Sequence, residues 1–395
     1  MEETWRWFGP KDKVPLQHIR QAGATGIVTA LHQVPNGRVW DEADIVTRKG
    51  EIESSGLHWS VVESIPISEE IKTRTGDWKK HLDAYGASIR NLAAQGVETI
   101  CYNFMPVIDW TRTDLSYALP NGSLALRFDA TEFAAFDLFI LCREGAGAEY
   151  TPERVEAARK CYVAMDQAAR DKLTRVIIAG LPGAEESYTV EMLREALGKY
   201  RGVSRDEFRG RLGEFLDAVT PVAEEAGVRL AIHPDDPPRS LLGLPRIVST
   251  AEDARWILNR VDSPNNGLTF CTGCYGVRPD NDLVAMAREF AARIHFLHLR
   301  STRREADSES FYEADHLGGD VDMVGVITEV LREEQKRAAT ERPDSVIPMR
   351  PDHGHQMLDD VGKTVSPGYS AIGRLKGLAE LRGVATAVKR LLGPA

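Results

Sequence analysis

Four short stretches of the sequence end an apolar, β-branched run on a side chain that can bind a metal ion. LAIH ends on His233, LTFC on Cys271, HFLH on His298, and PMRPDH on Asp352 and His353. A lone histidine in such a place is usually structural, and a buried cysteine usually behaves as a small apolar residue. Four such groups at the same kind of position favour a metal site, and their mixed nitrogen, sulfur and oxygen donors leave room for a substrate. These ligand types are compatible with zinc, iron or manganese, so they do not identify the metal.

The stretch GLTFCTGCYG places Cys271 and Cys274 at C-x-x-C spacing, which redox pairs and halves of structural zinc sites share. A structural zinc site needs a second Cys/His pair at short spacing, and the sequence has none. A redox pair belongs at a helix N-terminus without other ligands around it. We therefore predict that Cys271 supplies one thiolate to the metal site and that Cys274 is a bystander in a glycine-bounded loop.

Basic and protic residues crowd the same strand ends. Arg300, Arg303 and Arg304 lie in HLRSTRRE, Arg350 lies in MRPDHGH, and His316 lies in ADHLGGD. A solvated charged loop explains RSTRRE equally well. Arginines beside a metal ion would bind a small carboxylate, because a guanidinium pairs with it through two hydrogen bonds. We predict a small anionic substrate, with Arg300, Arg350 and His316 as its binding residues.

The elements that position these residues are short runs rich in Val, Ile and Thr, separated by longer amphipathic stretches. The strand candidates are residues 25–31, 58–64, 98–104, 175–181, 228–233, 267–271, 294–299 and 345–352. Because the runs lack polar alternation, they indicate strands buried on both faces of a parallel sheet. We predict an α/β fold, a (β/α)8 TIM barrel whose strand ends meet at the active site. A doubly wound open sheet is the alternative, but the glycine-rich nucleotide motifs are missing.

The spacing of the strand candidates is uneven. Residues 175–181 read equally well as a helix end followed by a turn, and residues 109–175 contain loop and helix signals without a convincing strand. A long insertion after an early barrel strand usually covers the active-site mouth or makes a subunit contact. We predict one barrel domain over residues 1–395, with residues 109–175 as such an insertion.

Composition limits the classes of partner and compartment. The net charge of −10 argues against nucleic-acid binding, because phosphate neutralisation needs a basic face. No run of about 18 apolar residues occurs, so we expect no membrane span. The five cysteines are odd in number and widely spaced, a pattern that does not fit a disulfide framework. Reduced cysteines are typical of cytoplasmic proteins, so we expect the protein in the cytoplasm.

Long motifs along the chain match a known family. They are WRWFGPKDKVPLQHIRQAGATGIVTALHQVPNGRVW, CYNFMPVIDWTRTDL, AIHPDDPPRSLLGLPRIVST, CTGCYGVRPDNDL, HLRST, HLGGDVDM, RPDHGHQMLDD and PGYSAIGRLKGLAELRGV. In these motifs, which span nearly the whole chain, the sequence resembles the D-mannonate dehydratase family of hexuronate (glucuronate) catabolism. Cys274 departs from the pattern, since a serine is expected there, but the departure removes no expected ligand.

The resemblance implies a xylose-isomerase-like barrel that holds a divalent metal ion, manganese first and iron(II) as the alternative. The ligands that it implies are His233, Cys271, His298 and Asp352. It further implies that His353 and Tyr369, beside Asp352 at the catalytic centre, serve in acid–base chemistry. Tyr369 would otherwise read as an aromatic residue near a Pro-Gly turn. The implied reaction dehydrates D-mannonate, a small sugar acid, to 2-dehydro-3-deoxy-D-gluconate. We also expect a homo-oligomer, either a dimer or a tetramer.

Two competing functions stay open from the sequence. A metal-dependent sugar or sugar-acid isomerase or epimerase on the same barrel would typically use a carboxylate-rich site, and the cysteine ligand speaks against it. A non-catalytic sugar-acid-binding protein would have no turnover to lose when its metal is removed by a chelator.

Overall fold

The computed structural model describes residues 1–179 and 189–393. Their strands, numbered in chain order, are β1 (Glu2–Arg6), β2 (Gly26–Thr29), β3 (His58–Glu63), β4 (Thr99–Tyr102), β5 (Asp114–Ala118), β6 (Leu124–Phe128), β7 (Arg229–Ile232), β8 (Asn266–Cys271), β9 (Ile294–His298), β10 (Thr302–Arg304), β11 (Phe311–Glu313) and β12 (Pro348–Arg350). Eight of these strands pair in parallel and close into a barrel in the order β1, β12, β9, β8, β7, β4, β3, β2. The predicted TIM barrel is confirmed.

Helices connect the barrel strands and cover their outer face. The α-helices are α1 (Leu16–Gln21), α2 (Glu42–Glu53), α3 (Glu69–Thr73), α4 (Trp78–Ala94), α5 (Ala130–Ala135), α6 (Pro152–Ala164), α7 (Gln167–Ile178), α8 (Val190–Gly198), α9 (Arg205–Ala226), α10 (Ala251–Arg260), α11 (Thr272–Gly276), α12 (Leu283–Phe290), α13 (Met323–Ala339) and α14 (Ala371–Leu392). Single turns of other helix types cover Phe136–Ile140, Ala146–Glu149, Ala291–Arg293 and Leu358–Asp360. In the described part of the chain, no helix is long and apolar enough to cross a membrane.

Both faces of the barrel strands are buried, which explains their unbroken apolar runs. Inside the barrel, a small layer consists of Val28, Val61, Cys101, Ala231 and Phe296. The alternate residues of the same strands point outward and pack with the helices in one large core. Since strands and helices are fixed on both sides, the loops at the strand ends start from rigid positions.

Helix α9 shows how local sequence places a site strand. The Ser204 side chain accepts the backbone N–H of Glu207 and caps the helix start, and Gly227, at a φ of 70°, ends it. This left-handed backbone conformation suits glycine, because glycine has no Cβ atom that could clash. Strand β7 begins two residues later and leads directly to His233.

The predicted strand at residues 175–181 is wrong. Residues 175–178 form the last turn of α7, which ends at Ile178. The start of this helix is capped by Asp166, whose side chain accepts a hydrogen bond from the backbone N–H of Ala169. Residues 180 and 181 lie outside the described residues. The eighth barrel strand is β1 instead, which pairs in parallel with both β12 and β2. Its sequence, EETWR, lacks the apolar run that marks the other strands.

The segment at residues 109–175 contains two strands, contrary to the expectation that it has none. Strands β5 and β6 form an antiparallel hairpin and continue through β11 to β10 in a second sheet. The turn between them carries Pro120, Asn121 and Gly122, of which Gly122 has a positive φ of 83°. Helices α5, α6 and α7 complete the segment. Its predicted role in covering the mouth or contacting another subunit stays a prediction.

Candidate active site

The carboxyl ends of the barrel strands surround a partly open cavity. Active sites of (β/α)8 barrels lie at this face. The lining includes Arg6, Glu63, Asn103, Asp109, Trp110, His233, Asp236, Arg300, Arg350, Asp352, His353 and Tyr369. Because charges of both signs dominate this wall, the cavity suits a small polar molecule.

Three of the predicted metal ligands meet at this face. His233 directly follows β7, and Cys271 and His298 are the last residues of β8 and β9, where they are paired in register. Their ligand atoms all lie within 4.8 Å of one another. His233 Nε2 is 3.1 Å from His298 Nδ1. The three side chains could therefore hold one metal ion between them.

Asp352 lies beside this group. Its Oδ2 is 4.0 Å from Cys271 Sγ. Arg300 Nη1 donates to Oδ2 at 3.1 Å, and Arg350 donates to Oδ1. Burial opposes ionisation, but Arg350 and the neighbouring cations hold the pKa of Asp352 well below its usual range. The backbone φ of Asp352 is 59°, a left-handed value that aspartate tolerates better than most residues.

Cys271 is a thiolate in this environment. Burial alone would raise its pKa, but a hydrogen bond from Cys274, the charge of Arg300 and hydrogen bonds from the two histidines lower the pKa of Cys271 well below its usual range. The backbone N–H of Cys274 also donates to Cys271 Sγ at 3.4 Å. Since the thiolate is the form that binds metals, the site is electrostatically prepared for a cation.

The predicted glycine-bounded loop around Cys274 is wrong, because this residue lies in a short helix beside the site. It belongs to α11, is buried, and its Sγ is 4.0 Å from His233 Nε2. Arg300 Nη2 donates to this Sγ at 3.6 Å. Burial raises the pKa of Cys274 well above its usual range, so this sulfur stays a thiol. Its predicted dispensability stays a prediction.

The glycine between the two cysteines allows the arginine to approach. A Cβ at Gly273 would lie 1.8 Å from Arg300 Nε. Any other residue would therefore push the Arg300 guanidinium away from Asp352.

A second set of possible ligand atoms lies deeper in the barrel. Glu63, Cys101 and His298 also bring such atoms within 4.8 Å of one another. Burial raises the pKa of Cys101 well above its usual range, and Thr269 donates a hydrogen bond to its sulfur at 3.2 Å. Because Cys101 is a neutral thiol, the first set of ligands fits a cation better.

His353 and Tyr369 face each other across the cavity mouth. Their ring centroids are 5.1 Å apart with an edge-to-face geometry. The backbone of Gly354 bridges to Tyr369, which brings the tyrosine beside the end of the last barrel strand. Burial raises the pKa of Tyr369 to about 12. The phenol is therefore protonated near neutral pH and can donate a proton.

Sequence reasoning missed a group of buried charges behind His353. Glu313 Oε1 is 3.1 Å from His353 Nδ1, and Arg112 donates to both Glu313 and Asp236. Burial opposes the charge on Glu313, but Arg300 and His353 lower its pKa. The only available signal for Asp236 is its place in AIHPDDPP after the β7 histidine. This group fixes the orientation of the His353 ring.

Glu63 is a second residue that the sequence did not reveal. It accepts hydrogen bonds from Arg350 Nε at 3.1 Å and Arg350 Nη2 at 2.9 Å. Arg350 Nε also lies 3.1 Å from His298 Nε2. Arg350 therefore links Glu63 to a predicted metal ligand and to Asp352.

Three other predicted or candidate residues are not brought into the cavity. His316 Nε2 is 2.6 Å from the carbonyl oxygen of Pro351, behind the site. Arg303 is exposed and binds the Gly318 carbonyl. Arg304 pairs with Asp320 at 3.2 Å. The charged-loop interpretation of RSTRRE holds for both of these arginines, whereas Arg300 lies in the site.

A closed parallel barrel with a charged cavity at its carboxyl face, and with histidine, cysteine and aspartate side chains grouped beside that cavity, defines a (β/α)8-barrel enzyme for small polar substrates. A family model described as D-mannonate dehydratase (UxuA) matches residues 1–393. The chain therefore belongs to the D-mannonate dehydratase family, and it is a hydro-lyase.

Individual relatives agree with this assignment. A mannonate dehydratase of Chromohalobacter salexigens is 59% identical over 391 residues, which is 99% of this chain and 100% of that protein. One of Marinomonas sp. is 56% identical over 392 residues, with coverage of 99% and 100%. The crystal structure of mannonate dehydratase from Streptococcus suis serotype 2 aligns with a TM-score of 0.79 at 33% identity, covering 100% of this chain and 97% of that one.

Proposed function

We propose that this enzyme dehydrates D-mannonate to 2-dehydro-3-deoxy-D-gluconate with a divalent metal ion held by His233, Cys271, His298 and Asp352. The observation that carries the proposal is the meeting of three ligand atoms within 4.8 Å of one another at the carboxyl ends of β7, β8 and β9. Asp352, 4.0 Å from the thiolate, would supply the fourth ligand.

The donor set fits such an ion. Two imidazoles and a carboxylate suit manganese and iron(II), and the Cys271 thiolate adds affinity for iron. The anionic charge of Cys271 and Asp352 together balances a dication. We propose manganese first and iron(II) as the alternative.

The reaction removes the proton at C2 and expels the C3 hydroxyl as water, and the resulting enol becomes the 2-keto acid. Proton removal beside a carboxylate is difficult because negative charge accumulates there. A bound divalent ion supplies Lewis-acid stabilisation of that charge. The remaining tasks, which are two proton transfers and the orientation of the substrate, fall to side chains of the cavity.

His353 and Tyr369 form the acid–base pair in this proposal. With its pKa raised to about 12 by burial, the Tyr369 phenol is protonated near neutral pH. Glu313, whose Oε1 lies 3.1 Å from His353 Nδ1, holds the imidazole in position for a proton transfer. One member of the pair takes the C2 proton while the other protonates the departing hydroxyl.

The charged side chains that line the cavity would orient the substrate. We propose that Arg300 and Arg350, which both line the cavity, help to bind the sugar acid. For His316 the position behind Pro351 supports an indirect contribution, through the backbone that carries Asp352.

Three wider expectations belong to the same proposal. We propose a cytoplasmic enzyme of glucuronate degradation, in line with five cysteines that are all free. We propose a homo-oligomer, a dimer or a tetramer. We further propose that the enzyme binds no nucleic acid, in line with its net charge of −10.

The test is an assay with D-mannonate on protein stripped by a chelator and then reconstituted with Mn²⁺. We expect the 2-keto acid to form only after reconstitution. Full turnover in excess chelator would refute the metal dependence. A product that retains the elements of water would favour the isomerase or epimerase, and stoichiometric binding without any product would favour a binding protein.

A further inference from the structure

We propose that Arg6 binds the carboxylate of the substrate, an inference that rests on the proposed sugar-acid substrate. Arg6 is the last residue of β1 and lines the active-site cavity. It is 5% exposed, so its guanidinium is almost wholly enclosed. The residue therefore presents a buried positive charge to whatever occupies the cavity.

Two donor nitrogens of Arg6 make no hydrogen bond to the described residues. Its Nε and Nη1 atoms are buried and have no hydrogen-bond partner in residues 1–179 and 189–393. Glu63 Oε2 lies 3.1 Å from Nη1, which is close enough for charge pairing, but the two atoms are not aligned as a hydrogen bond. Buried N–H groups are nearly always satisfied, so these donors call for an external acceptor.

The neighbouring arginines have more of their donors paired, in contrast, although Arg300 Nε is also buried without a hydrogen bond in the described residues. Arg300 donates to Asp236 at 3.0 Å and to Asp352 at 3.1 Å. Arg350 donates to Glu63 through Nε and Nη2 and to Asp352. At Arg300 or Arg350 the substrate would share a guanidinium that already donates to buried carboxylates. At Arg6 only the unaligned charge pair with Glu63 stands beside the free Nε and Nη1 donors.

The surroundings hold the Arg6 guanidinium beside the reacting atoms. It lies over the Phe8 ring, 5.1 Å from the centroid. Phe8 in turn contacts the Tyr369 ring edge-to-face, with centroids 4.9 Å apart. In a 2-hydroxy acid the carboxylate is bonded to C2, so an anchor on this side places C2 near the acid–base pair.

Recognition by Arg6 is specific for an anion. A planar guanidinium offers parallel donors to the two oxygens of a carboxylate, while a sugar hydroxyl can use only one of them. Arg6 would therefore select sugar acids over neutral sugars of the same length.

The experiment compares wild type with Arg6→Met and Arg6→Lys, and with Arg201→Met as the control, since Arg201 forms an exposed pair with Glu144. Turnover of D-mannonate by wild type is measured first, because its absence would refute the proposed function and not this inference. We expect kcat/KM to fall on the order of 10- to 100-fold in Arg6→Met, the range for a lost charged hydrogen bond. Arg6→Lys should recover part of the loss, and Arg201→Met should match wild type.

A second measurement separates substrate binding from a structural role. Inhibition by D-gluconate, a sugar acid, should weaken in Arg6→Met, while inhibition by the neutral polyol D-mannitol and the bound Mn²⁺ content should not change. Added guanidinium should partly restore turnover of Arg6→Met, with sodium chloride as the ionic-strength control. Equal weakening for both inhibitors, or an unchanged kcat/KM, would overturn the inference.

Discussion

Strand β9 carries two buried histidines, one toward each end of the barrel, and their surroundings differ. His298, at the carboxyl end, has its ring nitrogens 3.1 Å from His233 and 3.1 Å from Arg350. His295, three positions earlier, has no hydrogen-bond partner at either ring nitrogen within the described part of the chain. Gly267 on the next strand leaves the space that the His295 ring fills.

The electrostatics of the two ends differ as well. Burial and the charges of Arg229 and Arg337 lower the pKa of His295 to about 3, so it is a neutral packing residue. At the other end, an anionic Cys271 and Asp352 stand beside the histidines. The type of residue and its burial are therefore insufficient to identify a ligand. What distinguishes His298 is the convergence of groups from neighbouring strands.

The largest expected effect at the carboxyl end concerns the acid–base pair. His353→Asn and Tyr369→Phe should each keep the fold and the bound metal but lower kcat on the order of 10²-fold or more, the usual scale for a lost general acid or base. KM should change little, because the lost interaction acts in the transition state. Steady-state kinetics with metal analysis measures both quantities. A raised KM with an intact kcat would show that these residues only bind substrate.

A smaller effect is expected at Cys274, which lies near the site but is predicted to be dispensable. Cys274→Ser should change kcat/KM by less than about threefold, because a serine hydroxyl is neutral like the Cys274 thiol and can keep its hydrogen bond to Cys271. The same variant tests the redox interpretation of the C-x-x-C spacing. A folded, metal-loaded but inactive Cys274→Ser protein would contradict the prediction.

An effect on stability, with turnover retained, sharpens the comparison at the other end of the barrel. In the folded protein His295 stays neutral down to about pH 3, whereas in the unfolded chain it takes up a proton below about pH 6.5. The free energy of unfolding therefore falls as the pH falls from 6.5 toward 3, by up to about 1.4 kcal/mol per pH unit from this residue. His295→Leu should remove that contribution while retaining turnover. Denaturant unfolding of both proteins at pH 7.5 and 5 measures it, and an unchanged pH dependence would contradict the assignment.

The sequence predicts β7, β8 and β9 well because each is a largely apolar run that leads to a reactive side chain. Strand β1 escaped prediction because its glutamates are satisfied by distant partners, Glu2 by Ser60 and Glu3 by Arg382. Because β1 lacks an apolar run, it is recognised as a strand only from its pairing in the closed barrel.

The inner charges of the site could not be predicted for a similar reason. Arg112 is separated from Asp236 by 124 positions and from Glu313 by 201, so no local pattern connects them. Arg6 belongs to the strand that was missed. Tyr369 entered through the family resemblance, and its place beside His353 depends on the backbone bridge at Gly354.

The most direct test of the central claim is a calorimetric titration of Mn²⁺ into metal-stripped wild type and Cys271→Ser, with exposed Cys142→Ser as the control. Wild type and the control should bind one ion per chain. Cys271→Ser should bind it on the order of 10-fold more weakly or worse, at least the loss seen when residues around a metal site are changed, and its turnover of D-mannonate should fall in parallel. Unchanged affinity and turnover in Cys271→Ser would remove this thiolate from the metal site and contradict the account.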